Sequence, residues 1–542
     1  MNDFSRLVKP FIVKLMAILM AVVFAMAYGQ DVLYSSNQNT YFLHGLANGG
    51  LGLLSHDWMA GTLDPFPVFS ALVSVTSQYF SPLLFYVYYA VLLAIFILSI
   101  MKINGLVWGG SHCRRQTICS FVLITFLSSA LFYRISTQLV GIDVGQIFFS
   151  GVANQYILGQ VFQPSTFGVF LVLSVATFLA GRAFWAIVFL AIAATFHPSY
   201  LLSAATLTLS YMVLTLINGQ ATVQVQAHSY PKRCWLALCL GLFALILVTP
   251  VVLYSYGTFA PTSAQTIQQA QSILVEQRIV HHAQPASWFG IGTVLRLAIM
   301  VLALWLLRKQ PLFWIMSIPF VCGLLLTLLQ LISDSHFLAL LFPWRVSAFL
   351  LPMASCVLIG GGVSWLFARS GLNQLGSSDQ GVKRIDLVLV VAMSTLMIAG
   401  IAGLMGLKQK TLTNPLTEYV RETATKGQLY LIPPKMGQFR LQTGARILVD
   451  WKTHPYKDVE VIEWYQRFNA VSDFYGASSG KKSAEQQCDL LKQLVADYQV
   501  TDVVYRRRDG VLGCSFLTEV YETEVHESEV LKGDVFSVYM VL

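Results

Sequence analysis

The stretch CWLALCLGLFALILVTPVVLY (residues 234–254) contains no charged residue and directly follows Lys232 and Arg233. Its 21 residues form a helix long enough to cross the roughly 30 Å of hydrocarbon in a membrane. Cations at one end of such a run indicate the end that stays in the cytoplasm. The stretch therefore predicts a transmembrane helix whose N-terminal end lies inside the cell.

Ten further apolar segments are similar to this one, and the whole chain has the composition of a membrane protein. Hydrophobic residues make up 56% of it and charged residues 11%, whereas a soluble chain carries about 25% charged residues. The eleven predicted spans are 10–28, 81–101, 117–137, 167–181, 183–197, 199–217, 234–254, 288–307, 311–332, 343–367 and 385–406. The fourth and fifth are short and meet at Gly181, so they form either a tight hairpin or a re-entrant pair.

Charge divides the chain into two predicted domains. Residues 1–406 hold 18 Lys and Arg against 9 Asp and Glu, whereas residues 407–542 hold 17 against 18. We therefore expect an α-helical polytopic membrane domain at 1–406, with a long first outer loop at 29–80. A small soluble α/β domain is expected at 407–542.

The distribution of cations also predicts the orientation. With the N-terminus in the cytoplasm, 14 of the 18 cations of the membrane domain lie on the cytoplasmic side. This predicts a multi-pass membrane protein with its N-terminus in the cytoplasm and its C-terminal domain on the outer side; the resemblance described below implies the bacterial inner membrane and the periplasm. Because the surplus cations flank apolar spans, the net charge of +8 does not indicate nucleic acid as a partner; membrane lipid is expected instead.

The C-terminal domain shows alternating strand and helix patterns. Strands are predicted at 427–433, 445–451, 501–507, 515–523 and 534–542, and helices at 458–468 and 484–498. A helix that leads into strand 501–507 is typical of a β-α-β unit. Arg440 and Lys452 lie in FRLQTGARILVDWKTHPYKD (residues 439–458), where they either face a substrate or belong to a set of surface ion pairs.

Two cysteines fall in this outer domain, Cys488 and Cys514. The periplasm is oxidising, so two cysteines in a periplasmic domain are expected to pair. The alternative is two free buried thiols.

Histidines, acids and arginines are predicted to gather on the outer face of the membrane domain. The first outer loop carries Asp31, Asp57, Asp64, His44 and His56 and has no Lys or Arg. The later outer segments carry the following basic side chains: His197, Arg278, His281, His282, Arg296 and Arg345. Neither the adjacent His281 and His282 nor the distant His44 and His56 have the spacing of a helical zinc pair, so no metal site built from protein ligands alone is expected.

This arrangement resembles that of GT-C membrane glycosyltransferases, which transfer sugar from a polyprenyl-phosphate carrier outside the membrane. Many of them have an Asp-Glu pair shortly before a Tyr in the first loop, and here Asn37 and Gln38 stand at that place. The chain is also similar to a group of multi-spanning bacterial proteins without an assigned activity. The shared motifs are HDW at 56–58, PWR at 343–345 and VDWK at 449–452.

The resemblance implies roles for particular side chains. An amide cannot act as a general base, so the catalytic carboxylate would be Asp57 or Asp31; each has a structural alternative as a cap or turn residue. Arg345 is the first candidate for the carrier phosphate, followed by Arg296 and Arg278, and its alternative is to extend to the headgroups or pair with an acid. A divalent cation such as Mg²⁺ or Mn²⁺ on Asp57 is compatible with this chemistry.

Two functions of different classes follow. The first is a membrane glycosyltransferase that uses a polyprenyl-phosphate-linked sugar in the assembly of a cell-surface glycan. The second is a non-enzymatic membrane component that binds or translocates a lipid or a glycan. The amides at Asn37 and Gln38 favour the second, and a strict requirement for a carboxylate at Asp31 or Asp57 would favour the first.

Overall fold

A computed structural model describes residues 2–109, 114–218, 230–370, 380–410, 414–476, 483–523 and 535–542. The chain forms two compact units. The first consists of Met1–Gln30, Phe85–Tyr254 and Val275–Leu407, and the second of Asp31–Leu84, Ser255–Leu274 and Lys408–Leu542. Most of the first outer loop thus groups with the C-terminal residues in the second unit.

The first unit is helical, as its apolar runs predict. Its longer helices, some of which extend a few residues past the unit boundaries, are Asn2–Tyr28, Leu84–Trp108, Arg114–Leu127, Ala130–Val140, Val169–Leu179, Ala183–Phe196, Leu201–Asn218, Tyr230–Thr258, Ile291–Leu307, Pro311–Ser333, Ser347–Arg369 and Gln380–Lys410. Short helices lie between them at Gly145–Phe149, Val152–Asn154, Pro164–Gly168, Pro198–Tyr200, Ile273–Arg278, Val280–Ala283, Pro285–Trp288, His336–Leu340 and Pro343–Val346. The segment Ile273–Arg278 is a π-helix.

Six helical segments in the described part of the chain are long and apolar enough to cross a membrane. They are Leu84–Trp108, Pro198–Ile217, Tyr230–Thr258, Pro311–Ser333, His336–Arg369 and Arg384–Gly406. The pair Arg115–Leu127 and Ala130–Val140, bent by 55°, makes a seventh if it counts as one span. The four remaining predicted spans are shorter apolar helices: Lys14–Tyr28, Pro164–Leu179, Ala183–Phe196 and Ile291–Leu307. All eleven predicted segments are thus helical, while length and composition support six or seven crossings.

The two short spans at 167–197 form a tight helical hairpin. Gly181 ends the first helix with φ of +78°, and Arg182 N–H donates to Thr177 O while Gly181 N–H donates to Phe178 O. These two bonds satisfy the last carbonyls of the helix in the Schellman arrangement, which favours glycine at this position. Ser174 Oγ then donates to Ala186 O at 2.8 Å and joins the two helices.

The second unit combines the first outer loop with the C-terminal domain. Its helices are Gln38–Tyr41, Leu43–Asn48, Leu54–His56, Met59–Gly61, Pro67–Tyr79, Ala264–Ser272, Pro415–Thr423, Phe439–Thr443, Asp458–Gly476, Ala484–Tyr498 and Arg507–Asp509. Gly52 and Gly444, both with positive φ, let the loop and the domain approach closely. A Cβ on Gly52 would lie 2.8 Å from Gly444 O, the atom that accepts a bond from Leu53 N–H.

A four-stranded sheet forms the centre of the C-terminal domain. Its strands are β1 (Tyr430–Leu431), β2 (Asp502–Arg506), β3 (Leu517–Glu522) and β4 (Phe536–Val541), in the order β1-β2-β4-β3. β1 and β2 are parallel, as the predicted β-α-β unit requires, and β4 is antiparallel to both β2 and β3. The predicted strand 445–451 does not form; Ile447 makes only an isolated bridge to Tyr430.

The sheet covers an apolar core, and a disulfide joins a helix to the segment before β3. Core side chains include Leu416, Tyr430, Phe439, Ile447 and Val504. Cys488 and Cys514 form a disulfide with 5.5 Å between their Cα atoms.

Candidate functional site

Asp57, the first candidate base, is buried in the second unit and bound to the C-terminal domain. It is 2% exposed. Its Oδ2 accepts from Arg440 Nε at 3.1 Å and from Ile447 N at 3.0 Å. Its Oδ1 accepts from Met59 N at 2.9 Å and, at 3.4 Å, from Ala60 N. Both oxygens are thus occupied by donors of the protein, which is the environment of a structural carboxylate.

Arg440 joins Asp57 to a second buried acid. Its Nη1 donates to Asp450 Oδ2 at 2.7 Å, and Arg440 and Asp450 are 1% and 0% exposed. Burial raises the pKa of Asp450 above its usual range, although the Arg440 cation and the Thr453 N–H act in the opposite direction. Arg440 therefore faces neither a substrate nor solvent but links the first loop to the C-terminal domain.

The amide pair that replaces the acids of the GT-C pattern also has structural contacts within this unit. Asn37 Oδ1 accepts from Lys452 Nζ at 2.6 Å. Gln38 is 1% exposed, and its Oε1 accepts from Tyr34 N at 2.7 Å. Lys452 thus contacts the loop at the place where an acidic pair would lie.

The other predicted residues of the first loop lie outside this cluster, and His44 Nδ1 lies 4.0 Å from Asp64 Oδ1. Asp31 is half-buried, and its Oδ1 lies 2.9 Å from Val32 N. His44 Nε2 lies 3.0 Å from Thr62 O, and His56 is exposed. Asp64 accepts from Phe66 N at 2.8 Å, a bond typical of a turn.

In the first unit, Arg345 is held by neutral partners. Its Nη1 donates to Gln155 Oε1 in a short hydrogen bond and its Nη2 to His197 Nε2 at 2.6 Å. The guanidinium carbon lies 4.8 Å from the centre of the Tyr200 ring. No described carboxylate pairs with Arg345, and its buried Nε has no acceptor among the described residues.

The contact with Arg345 determines the protonation of His197. A guanidinium is always charged and can only donate, so Nε2 of the 5% exposed His197 must accept. The imidazole is therefore neutral with its proton on Nδ1, which lies 3.1 Å from Ser199 Oγ. Arg345 thus keeps a full positive charge at the start of an apolar helix without a neighbouring anion in the described chain.

A small recess lies beside Arg345 in the same unit. The space open to a water-sized group is about 10 Å³, room for about one water molecule. Gln155, the partner of Arg345, lines it together with the ring-bearing residues His282, Trp288, Phe342 and Trp344. The indole Nε1 atoms of Trp288 and Trp344 are buried and have no acceptor within the described residues.

His282 contributes a neutral ring to the recess. Its Nδ1 lies 2.7 Å from Ala153 O. Burial, together with the neighbouring His281 and the cations Arg345 and Arg278, lowers the pKa of His282 to about 3. The exposed His281 contacts the His282 ring at a centroid distance of 4.0 Å.

The backbone of the recess is strained at two of its lining residues. Ala153 and Phe342 have φ of +55° and +50°, a region that non-glycine residues rarely adopt. Such conformations persist only where the surrounding structure holds them and often occur at ligand sites. Asn154 and Asp334, which belong to the same unit but do not line the recess, have φ of +54° and +47°, so such backbone is not confined to the recess.

Arg278 and Arg296 do not join the contacts of Arg345. Arg278 is half-buried at the end of the π-helix Ile273–Arg278. Arg296 lies inside the helix Ile291–Leu307, and its buried Nε has no acceptor among the residues that the structure covers. In the first unit the structure brings Arg345 into contact with His197, and His281 into contact with His282. In the second unit it pairs Asp57 with Arg440.

In the described part of the chain, a metal ion would have to be held by side chains of His, Cys, Asp or Glu, the usual protein ligands. That part of the chain has no group of three or more His, Cys, Asp or Glu side chains able to hold a metal ion. Asp57, considered for Mg²⁺ or Mn²⁺, directs both oxygens to protein donors.

Comparison with known proteins gives one match. Residues 413–471 match the model of a domain of unknown function, DUF6798. This segment includes Arg440 and Asp450, the two C-terminal members of the buried ion-pair cluster. No curated protein sequence matches the chain.

Several residues of the recess were not predicted. Gln155 and Gln330 are neutral amides in apolar surroundings, and Trp288 precedes an apolar helix like many interfacial tryptophans. Trp344 had a signal, because it precedes Arg345 in the PWR motif. Gln155, Gln330 and Trp288 had no such signal, because their contacts with Arg345 or with each other depend on tertiary packing.

Proposed function

We propose that this chain is a multi-pass protein of the bacterial inner membrane that binds a lipid-linked sugar through its phosphate, in the assembly of a cell-surface glycan. The observation that carries the proposal is the charge of Arg345, which is half-buried, has only neutral side-chain partners and lies at the start of a membrane helix. Charges in such positions are costly and usually serve function.

The chemistry of Arg345 suits a phosphate. A guanidinium has five N–H donors, and the bonds to Gln155 and His197 engage two of them. Arginine binds phosphate oxygens in pairs through its planar fork. The carrier phosphate of a polyprenyl lipid lies at the membrane surface, where the N-terminal end of a membrane helix also lies.

Binding or movement of the lipid is supported better than sugar transfer by Asp57. A transferase requires a carboxylate that can accept a proton, and Asp57 is enclosed by four donors. A GT-C-like transferase is a second candidate, with Asp31 as its base, because Asp31 is a half-buried carboxylate of the first loop.

Lipid binding can be measured with the full-length protein in nanodiscs. A polyprenyl phosphate should bind to the wild type, and Arg345→Gln should weaken binding about 10- to 100-fold, since bonds to charged groups contribute about 1.5–3 kcal/mol. Inorganic phosphate should not compete at equal concentration if the lipid is the ligand. Equal binding by the wild type and Arg345→Gln would refute the proposal.

A matched control is available on the same unit. Arg308 is exposed, and its guanidinium carbon lies 4.8 Å from the Trp305 ring, the same distance as Arg345 from Tyr200. Arg308→Gln removes one cation from the end of an apolar helix and should leave binding unchanged. An equal loss in both variants would indicate a general effect of membrane charge.

The proposed orientation has its own test. In intact cells, a membrane-impermeant thiol reagent should label Gln265→Cys and Glu485→Cys, both exposed positions of the second unit, but not Lys232→Cys. Labelling of Lys232→Cys with protection of the other two would reverse the orientation and place the phosphate site on the wrong side.

For the transferase, Asp31→Asn separates catalysis from binding. It should abolish sugar transfer while polyprenyl phosphate still binds. If Asp31→Asn supports full glycan assembly, the transferase with Asp31 as its base is refuted and only the binding function is supported.

A further inference from the structure

We infer that the helix Pro67–Tyr79 of the second unit lies on the surface of the lipid bilayer, with one apolar side buried among the acyl chains. The inference goes beyond the proposed function and does not depend on Arg345 or on a lipid-linked sugar. It assigns a role to a part of the first loop that carries none of the candidate site residues.

The helix Pro67–Tyr79 is uncharged and largely apolar on both of its sides. The buried side consists of Phe69, Ser70, Val73 and Thr76. The exposed side carries Val68, Ala71, Val75 and Tyr79. The spacing of three and four residues places the exposed side chains on one face of the helix. Because a helix that is apolar all round is normally buried all round, the exposed face requires an apolar cover.

Close packing determines which side of the helix faces outwards. A Cβ on Gly45, in the neighbouring helix Leu43–Asn48, would lie 2.6 Å from Ser70 O and 2.6 Å from the Cβ of Val73. The rings of Phe42 and Phe69 lie 5.7 Å apart. The backbones of the two helices are therefore in close contact, and the face with Val75 cannot rotate inwards.

Exposed large apolar side chains of the second unit are concentrated at this helix and its flanks. Within residues 63–83 they are Leu63, Val68, Val75, Tyr79, Phe80 and Leu83. Elsewhere in the described part of the unit they are Tyr256, Val459, Val511, Val520, Met540 and Leu542, which come from separate segments. Contiguous exposed apolar surface marks a contact with a membrane or with another protein.

The chain connects this helix directly to a membrane span. The helix ends at Tyr79, and the span Leu84–Trp108 begins five residues later. Five residues reach at most about 18 Å, so the end of the helix cannot lie far from the bilayer. Tyr79 is 68% exposed, and tyrosine is enriched where a membrane meets water. Lipid is therefore within reach of the exposed face.

The absence of charge also favours lipid as the cover. Residues 65–101 contain no Asp, Glu, Lys or Arg, so a protein that binds through ion pairs has no counterpart on this face. Apolar area alone can hold a helix at the boundary between headgroups and acyl chains. The contact should therefore not depend on anionic headgroups.

A second copy of the chain suits this face less well. A helix of 13 residues is about 20 Å long and roughly 10 Å wide, so one face presents on the order of 200 Å². A stable dimer buries roughly 800 Å² on each partner. A bilayer has no such threshold here, because the span Leu84–Trp108 already holds the chain in it.

The test uses the full-length protein in nanodiscs that hold one copy each and contain a phosphatidylcholine with a diazirine on its acyl chain. After irradiation, chymotryptic peptides are analysed by mass spectrometry, because residues 15–101 offer no Lys or Arg to trypsin. Peptides from 67–83 should carry lipid, as should those of the span Leu84–Trp108. Val511 and Leu542, which are 65% and 75% exposed, should not.

Variants test whether the exposed face makes the contact. Val75→Asp should lower the lipid labelling of 67–83 at least about 3-fold, since such contacts depend on the apolar area in lipid, and should leave the span labelled. Val511→Asp is the matched control and should change nothing. Arg345→Gln should also leave the labelling of 67–83 unchanged, so this inference and the proposed function fail separately.

Several results would overturn the inference. One is a labelled span with unlabelled 67–83 in the wild type, which decides the case even if Val75→Asp does not fold. Another is equal labelling of Val511, Leu542 and 67–83, which would show that lipid reaches any exposed apolar side chain. Labelling that requires added phosphatidylglycerol would also contradict it, as would crosslinks between the 67–83 segments of two copies in liposomes.

Discussion

Replacement of Asp57 by Asn should loosen the first loop from the C-terminal domain. The carboxylate accepts from Arg440 Nε, Ile447 N, Met59 N and Ala60 N. An asparagine provides one oxygen and directs an NH₂ group at donors on the other side. Arg440 keeps Asp450 as its counter-charge, so the cost arises from the buried donors that lose an acceptor. Each of them costs about 1–3 kcal/mol, and the amide oxygen can serve the donors on one side only.

Hydrogen exchange followed by mass spectrometry measures this cost locally. In Asp57→Asn, the amides of Met59 and Ile447 should exchange at least about 100-fold faster, since every 1.4 kcal/mol is tenfold. Asp64→Asn is the matched control, because an amide oxygen can still accept from Phe66 N in the turn. Its exchange should stay close to that of the wild type.

The outcome also decides how a loss of function is interpreted. Unchanged exchange and thermal midpoint in Asp57→Asn, together with lost glycan assembly, would refute the structural role and return Asp57 to catalysis. Faster exchange with lost function would identify a folding defect. Arg440→Met should then show the same exchange pattern, because it removes the other side of the pair.

Three further outcomes are expected. Asp458 accepts hydrogen bonds from Thr262 N and Oγ1, and these bonds lower the pKa of Asp458 against the effect of burial. The ionised carboxylate therefore stabilises the 255–274 segment above the unfolded pKa of about 4, and this stabilisation should be lost as the pH falls below that value. Hydrogen exchange at Thr262, compared between wild type and Asp458→Asn, measures the loss. Reduction of Cys488–Cys514, which are 26 residues apart, should destabilise the C-terminal domain by about 3 kcal/mol; chemical denaturation with and without reductant checks this, and equal midpoints would contradict it. Because the pKa of His282 is lowered to about 3, the His282 ring should stay neutral between pH 5 and 8 and lipid binding should not change over that range. A change in binding with a midpoint near pH 6.5 that disappears in His282→Gln would contradict this prediction.

Local patterns predicted local structure well. The helix expected at 484–498 is Ala484–Tyr498, and it begins with a capping box between Ser483 and Gln486. Capping depends on residues three apart and is visible in sequence. The helices of the apolar runs were also predictable from local sequence, because an apolar composition favours a helix in a membrane.

Contacts between distant segments were not predictable in this way. ARILVDW has the pattern of a strand, but Ile447 N–H donates to Asp57 and Asp450 bonds Arg440 and Thr453. These side-chain bonds replace the ladder that a strand would need. No local pattern links a residue of the first loop to one near position 447.

The candidate site was predicted in part. Arg345 was recognisable, because it is one of only four of the 18 cations of the membrane domain that the predicted orientation places on the outer side. Gln155, Trp288 and Gln330 carry no such signal, since neutral polar residues are common at membrane boundaries. Whether these residues contribute to the site depends on which of their polar atoms lack a hydrogen-bond partner in the folded protein, and sequence does not show this.

The bond between Asp57 and Arg440 joins residues that are 383 positions apart. At about 5–20 residues per second, a ribosome needs roughly 20–80 s to add that length. During this time the first loop has left the ribosome, but its buried carboxylate has no counter-charge and its glycine contact at Gly52 has no partner. The loop therefore cannot complete its folding until the last quarter of the chain has been synthesised. An mRNA truncated before the codon for residue 440 would yield a protein that has all its apolar helices but an incompletely folded first loop. Quality-control proteases can recognise such a loop.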